Sequence, residues 1–240
     1  ATVRSLARSY QAKRIIITTD WGSSTYRKEK LPDYKQNRRD LQSKQTEEER
    51  QAFLEFFAEY ERTLEALADT DMLVLKYKGV EADDLAGWIA THKDHLGIDT
   101  LWLVSSDKDW DQLVTSNVHR FSYVTRKETT LSNWHEHYDY PPEHFMDIKV
   151  LEGDKGDNIT GIDGVGPKRA WTLIQQYGSV FDLYESLPLS GKAKYISNLN
   201  ENAERIPLNF EVMDLKEFQT EAIGTENMQD MSDRITGTSQ

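Results

Sequence analysis

The chain has 240 residues and 27.8 kDa, with 38% apolar and 29% charged residues, and only 13 Gly and 6 Pro. That length suits one large α/β domain or two small ones, and the composition excludes collagen-like and wholly disordered chains. No run of about 18 apolar residues is present to span a membrane, and the first residues show no secretory pattern. The absence of cysteine excludes disulfides, thiolate metal sites and a cysteine nucleophile. The net charge of −12 argues against a broad nucleic-acid coat but leaves room for a local basic patch beside a cluster of acids.

Val3, Leu6, Ala7 and Tyr10 recur at helical spacing, which predicts a helix over 2–12. Ile15 to Thr19 is a continuous, mostly β-branched run ending at Asp20, the pattern of a buried parallel strand. Residues 26–40 are polar and basic and contain Pro32. Thr46-Glu47-Glu48-Glu49 is a capping-box pattern that opens a long amphipathic helix to residue 68. Further strands are expected at Met72–Leu75, Leu101–Ser105 and Phe121–Val124, with a helix over Val80–His92. Strands alternating with helices predict a parallel α/β sheet. From about Pro141 the β signal fades, residues 143–210 read as helical around a Gly-rich break, and the polar end from Gly224 reads as a flexible tail. The expected organisation is therefore an α/β core over 1–140, a helical region over 141–223 and a tail over 224–240.

The acids fall in four groups at the ends of these elements. Asp20 follows the first strand, and Glu81, Asp83 and Asp84 open the helix after the second. Asp107 and Asp109 follow the third, and Asp154 and Asp157 lie in a Gly-rich turn. Open α/β sheets gather ligands outside the carboxyl ends of their strands. A single Asp there ordinarily forms a turn or caps a helix. Eight carboxylates brought together would repel unless cations joined them, and hard oxygen donors select magnesium or manganese. Two such ions form the clamp of in-line phosphoryl transfer. Setting the eight acids aside leaves a net charge of −4, so much of the acidity can belong to one site. Asp107 to Asp111 also has the look of a calcium loop, but Gln112 and Val118 stand where such a loop needs Gly and Glu.

Two basic regions suit phosphate. Gly161 to Lys168-Arg169 places glycines at a helix start, where N–H groups can approach an anion, and puts bases in a first turn that the helix dipole disfavours. An ordinary Gly-rich turn with exposed bases is the plainer alternative. Tyr26 to Arg39 carries six bases against two acids, with interleaved aromatics that can stack on bases; the plainer alternative is a solvated loop. Arg120, Arg126, Lys127, Lys192 and Lys194 read as plain surface.

Four blocks together resemble the 5′ nuclease family: the flap endonucleases, the 5′–3′ exonuclease domains of bacterial DNA polymerase I, and the bacteriophage 5′ nucleases. The blocks are Leu31-Pro32-Asp33-Tyr34-Lys35-Gln36-Asn37-Arg38, Gly79-Val80-Glu81-Ala82-Asp83-Asp84, Ser106-Asp107-Lys108-Asp109-Trp110-Asp111-Gln112-Leu113, and Gly153 to Ile159 running into Gly161 to Lys168. The likeness covers residues 1 to about 210 and is strongest to the T-odd phage members.

The resemblance implies a PIN-like twisted sheet flanked by helices, a helical arch at about 26–60 that threads a free 5′ end, and a helix–hairpin–helix-like region. It places Asp20, Glu81, Asp83, Asp84, Asp107, Asp109, Asp154 and Asp157 as ligands of two Mg2+ or Mn2+ ions. It implies that Lys35 and Arg38 act with Asp107 in catalysis. DNA contacts would come from Arg27, Tyr34, Lys35 and Arg38, and from Gly164, Gly166, Lys168 and Arg169, with potassium in that last loop. The implied protein is a monomeric 5′–3′ exonuclease and flap endonuclease of the host cytoplasm. It would act on 5′ flaps, 5′ ends and RNA primers alongside a replication polymerase, away from membranes. The family also has an earlier strand with a further metal-binding Asp, so the sequence is expected to be either a fragment or a chain that has lost it. Loss would impair catalysis more than binding. The rival expectations are a branched-DNA-binding module of the same fold and a PIN-like ribonuclease, the latter disfavoured by the hairpin at 161–169.

Overall fold

The computed structural model describes residues 2–237. In chain order the elements are α1 (Thr2–Ser9), β1 (Ile16–Thr18), α2 (Thr25–Lys30), α3 (Gln36–Gln42), α4 (Glu47–Ala68), β2 (Leu73–Leu75), α5 (Ala82–His92) and β3 (Leu101–Val104). Then come β4 (Val118–Ser122), β5 (Lys127–Thr129), α6 (Phe145–Glu152), β6 (Gly153–Asp154), β7 (Ile159–Thr160) and α7 (Pro167–Tyr177). The chain ends with α8 (Val180–Glu185), α9 (Lys194–Glu201), α10 (Arg205–Met213), α11 (Gln219–Ile223) and α12 (Thr225–Thr236). A 3-10 helix, Lys108–Leu113, follows β3.

The chain forms two compact units: residues 1–26, 37–102 and 219–240 in the first, and 27–36 and 103–218 in the second. In the first, β1 and β2 pair in parallel, Ile17 opposite Val74. Leu75 of β2 is buried and the other β1 and β2 residues are half-buried, while Leu85, Trp88 and Ile89 are buried on α5. The predicted capping box of α4 is formed: Thr46 N–H donates to Glu49 Oε2 at 2.8 Å and Glu49 N–H to Thr46 Oγ1 at 3.2 Å. The expected flexible tail is corrected. Residues 225–236 are the helix α12, which buries Met231 and Ile235, and Arg234 Nη2 donates to the Val74 carbonyl at 2.7 Å. Two apolar side chains spaced four apart were enough to seat a polar helix. Residues 238–240 of that expectation lie outside the described residues.

The β1–β2 sheet has two strands, and β3, β4 and β5 form a separate three-stranded sheet. β4 turns back through residues 123–126 and pairs antiparallel with β5, Phe121 opposite Glu128. Arg126 has φ +60°, the left-handed conformation that closes such a turn. By compactness, residues 103–140 already belong to the second unit. The segment after β3 packs with the helices that follow. Gln112 Nε2 donates to the Met213 carbonyl at 3.2 Å, Leu215 N–H donates to Gln112 Oε1 at 2.9 Å, and the Trp134 and Phe145 rings meet edge to face.

The core of the second unit runs from Tyr34 through Ile148, Leu151, Ile174 and Leu183 to Ile206. Beside it, the backbone crosses itself where α6 ends. Gly153 has φ +74°, and a Cβ there would lie 2.3 Å from the Gly161 nitrogen. A Cβ on Gly161 would lie 2.1 Å from the Glu152 carbonyl oxygen. Those neighbours are backbone and cannot yield, so Gly161→Ala is expected to cost about 3 kcal/mol or more. Denaturant unfolding checks this; a loss under about 1 kcal/mol would show that the crossing relaxes.

Candidate functional site

Each unit carries its own acidic group. In the first, the segment after β1 is stitched onto the segment after β2. Thr19 N–H donates to Leu75, Trp21 N–H to Val80, Gly79 N–H to Trp21 and Thr25 N–H to Gly79, all through backbone carbonyls. Gly79 permits this with φ +73°; a Cβ would strike the Thr25 hydroxyl at 2.4 Å. The stitching sets Asp20 against the start of α5, where its Oδ1 accepts from Ala82 N–H at 2.6 Å. Glu81, buried, accepts from Ser24 N–H at 3.2 Å. Asp83 and Asp84 occupy the first turn of α5, where the helix dipole favours negative charge, and Asp84 is buried.

In the second unit, Asp107 is exposed and caps the 3-10 helix by accepting from Asp109 N–H at 2.9 Å. Asp109 is half-buried, and its Oδ1 lies 2.7 Å from Lys149 Nζ. The same ammonium lies 3.2 Å from Asp154 Oδ2. The other Asp154 oxygen accepts from Gly156 N–H at 2.7 Å and Asp157 N–H at 3.2 Å. Burial pushes the Asp109 carboxyl above its ordinary range despite Lys149. Burial also pushes at Asp154, but Lys149 and the two backbone N–H groups outweigh it and hold that carboxyl low. Lys149 is pulled up, because its two carboxylate partners outweigh the effect of burial.

Asp157 is tied to the segment carrying Lys35. Tyr34 Oη donates to Asp157 Oδ2 at 3.0 Å, and Lys35 Nζ lies 3.8 Å from that oxygen. Lys35 N–H donates to the Asp157 carbonyl at 2.9 Å, and Asn158 Nδ2 donates to the Asp33 carbonyl at 2.8 Å. Both Lys35 and Asn158 adopt φ near +60° to make this join.

The structure thus brings Asp20 to Glu81, Asp107 to Asp109, and Asp109 to Asp154 through Lys149. Among the described residues, no three acidic or histidine side chains are gathered closely enough to hold a metal ion by themselves. Asp20 and Asp107 do serve as caps, the plainer role of an Asp after a strand. The donor set is nonetheless all oxygen, and a cation already bridges Asp109 and Asp154, so these residues fit a hard divalent ion.

The basic residues divide. Lys35 is half-buried, and Arg38 is exposed on α3. Two of the expected DNA contacts are buried. Arg27 is buried and its Nε donates to the Val212 carbonyl at 2.7 Å. The Tyr34 ring is buried, and its hydroxyl orients Asp157. The expected arch region, 26–60, folds as helices α2 and α3 and the first part of α4, which exposes Leu54, Phe56 and Phe57. In the Gly161–Arg169 loop, Gly164, Gly166 and Lys168 are exposed, and space is open around Gly166. Arg169 is exposed but engaged: its Nη1 donates to the Gly164 carbonyl and its guanidinium lies 4.6 Å from the Tyr195 ring centre.

Sequence reasoning passed over Lys149 and Asp111. Lys149 is the one base in α6, Phe-Met-Asp-Ile-Lys-Val-Leu-Glu, set between the buried Ile148 and Val150, and that placement was the available signal. Asp111 is buried and pairs with Arg120, which is also buried and not the surface residue expected. Arg120 Nη2 donates to Asp111 Oδ2 at 2.9 Å and Thr129 Oγ1 at 3.1 Å, and Nη1 donates to the Ser105 carbonyl at 3.0 Å. Tyr138 donates its hydroxyl to Asp111, and its phenol is raised by burial and by that carboxylate.

Comparison with known proteins matches residues 1–139 to the 5′–3′ exonuclease N-terminal resolvase-like domain and residues 140–234 to the 5′–3′ exonuclease C-terminal SAM fold. The flap endonuclease of Escherichia phage T5 is 42% identical over 237 residues, which is 98% of this chain and 80% of that protein. A crystal structure of a phage T5 protein co-crystallised with metal ions superposes with a TM-score of 0.93 at 39% identity, covering 100% of this chain and 91% of that one. A phage T5 flap endonuclease in a pseudo-enzyme–product complex with DNA and metal ions gives 0.90 at 40% identity, covering 98% and 88%.

Proposed function

The chain is an enzyme of the 5′–3′ exonuclease family, and from that premise we propose that it is a magnesium-dependent, structure-specific 5′ nuclease of phage type. It hydrolyses phosphodiesters at 5′ flaps and 5′ ends of branched DNA, removes RNA primers beside a replication polymerase, and leaves a 5′-phosphate. The observation that carries this reading is the acidic set, four residues in each unit, in the order that the family resemblance implies.

In this reading Asp20, Glu81, Asp83 and Asp84, with Asp107, Asp109, Asp154 and Asp157, hold two divalent ions. Bound there, such ions lower the pKa of the attacking water and stabilise the leaving oxygen. The remaining work falls to side chains. Tyr34 fixes the rotamer of Asp157 through its hydroxyl. Lys35, held by its backbone bond to Asp157, and Arg38 neutralise charge on the transferred phosphate. Gly164, Gly166 and Lys168 bind the duplex backbone away from the chemistry; such contacts raise affinity and carry no sequence information. Potassium in that loop belongs to the same proposal.

The test is cleavage of a 5′-labelled flap DNA in millimolar magnesium against an EDTA control, with an RNA of matched length alongside. Magnesium-dependent cutting near the junction is expected. Binding without cutting would favour the branched-DNA-binding module, and preference for the RNA would favour a ribonuclease.

A further inference from the structure

Lys149 projects from α6, and its ammonium lies 2.7 Å from Asp109 and 3.2 Å from Asp154. It comes from a different element than either acid: Asp109 is in the 3-10 helix after β3, and Asp154 is in β6. All three side chains are sheltered, at 19%, 28% and 24% exposure, so the attraction is less screened than at the surface. Asp154 Oδ1 already accepts two backbone N–H groups, which leaves Oδ2, the oxygen facing Lys149, as its ligating atom. One monovalent cation therefore bridges two carboxylates that the proposed function gives to divalent metal.

We propose that Lys149 is a resident counter-cation of the acidic site, whose ammonium competes with divalent metal for Asp109 and Asp154. The inference rests on the metal role given to these acids above and adds a determinant of how tightly they bind. A carboxylate oxygen cannot ligate a metal ion and accept from Lys149 along the same direction at full strength. Metal entry must turn the ammonium away, and the lost pairing weakens the net affinity. In return, the bridge holds the two acids together before metal arrives, offsetting their mutual repulsion.

The experiment is titration of the whole chain with Mn2+, following the free ion by electron paramagnetic resonance, in the native protein, Lys149→Met and Lys149→Arg. Removing one positive charge about 3 Å from two ligands is expected to tighten the strongest class of site at least about tenfold in Lys149→Met. Lys149→Arg, which keeps the charge, is expected to stay within about threefold of the native protein. Unchanged or weaker binding by Lys149→Met would overturn the inference while leaving the nuclease reading intact. No Mn2+ binding by any of the three would overturn the metal assignment and this inference with it.

A second measurement needs no variant. Amine labelling of the native protein, read by mass spectrometry, is expected to modify Lys149 several-fold faster in saturating Ca2+ than in EDTA. Equal or slower labelling would show that metal does not turn the ammonium away, and would overturn the inference even if Lys149→Met fails to fold.

Discussion

Asp107→Asn is expected to lower flap cleavage by about 10²–10³-fold or more while leaving flap binding within several-fold and the fold intact. Asp107 is exposed, and among the described residues its side chain accepts one hydrogen bond, from Asp109 N–H to Oδ1. An asparagine carbonyl oxygen accepts the same bond and caps as well as aspartate. What the substitution removes is the negative charge, and with it the proposed hold on a divalent ion. The DNA contacts proposed above are Lys35, Arg38 and the Gly161–Lys168 loop, which the change leaves alone. Single-turnover cleavage and a binding isotherm in Ca2+ separate the two effects. Equal loss of both would move Asp107 from catalysis to structure.

Asp111→Asn is expected to produce the largest loss of stability among single polar substitutions, about 3–5 kcal/mol. Arg120 is 4% exposed and Asp111 1% exposed, so removing the carboxylate charge leaves a guanidinium in the interior without its counter-charge. The single amide oxygen of asparagine also cannot replace both carboxylate oxygens, which accept from Arg120 and Tyr138. For a chain of this size the melting temperature should fall by on the order of 10 °C. Replacing both partners, as Asp111→Leu with Arg120→Met, should recover much of the loss, because the cost lies in the unpaired charge. A double variant no more stable than Asp111→Asn would contradict that reading. Asp111 lies two residues beyond Asp109, so the same substitution also reports how far the buried pair steadies the acidic motif.

The strands, the capping box and the acids were legible because each has a short-range signature. Ile15–Thr19 is β-branched and continuous, and Thr46 to Glu49 satisfies its own helix end. The sheet pairing was less so. Phe121–Val124 reads as a strand, but nothing in four apolar or polar letters says which neighbour it meets, and it met β5. The role of α12 was hidden because Met231 and Ile235 are sparse in a polar segment; tertiary packing, and not composition, seats it.

In the candidate site, residue types were readable and surroundings were not. Tyr34 and Arg27 look like surface nucleic-acid residues in a basic stretch, yet both are buried, one serving Asp157 and the other the carbonyl of Val212. Arg120 looked like one more surface base, because Asp111 is nine residues away, in the 3-10 helix, while Arg120 lies in β4. Lys149 was invisible to motif reasoning, since its partners are 40 and five residues distant.

Anomalous diffraction from crystals of the chain soaked in Mn2+ tests the metal assignment most directly. The carboxylate set predicts two manganese peaks, each coordinated by oxygens from the eight acids, with Asp109 and Asp154 among the ligands and Lys149 turned away. Manganese absent from these carboxylates, with Lys149 still bridging Asp109 and Asp154 at saturating metal, would contradict it.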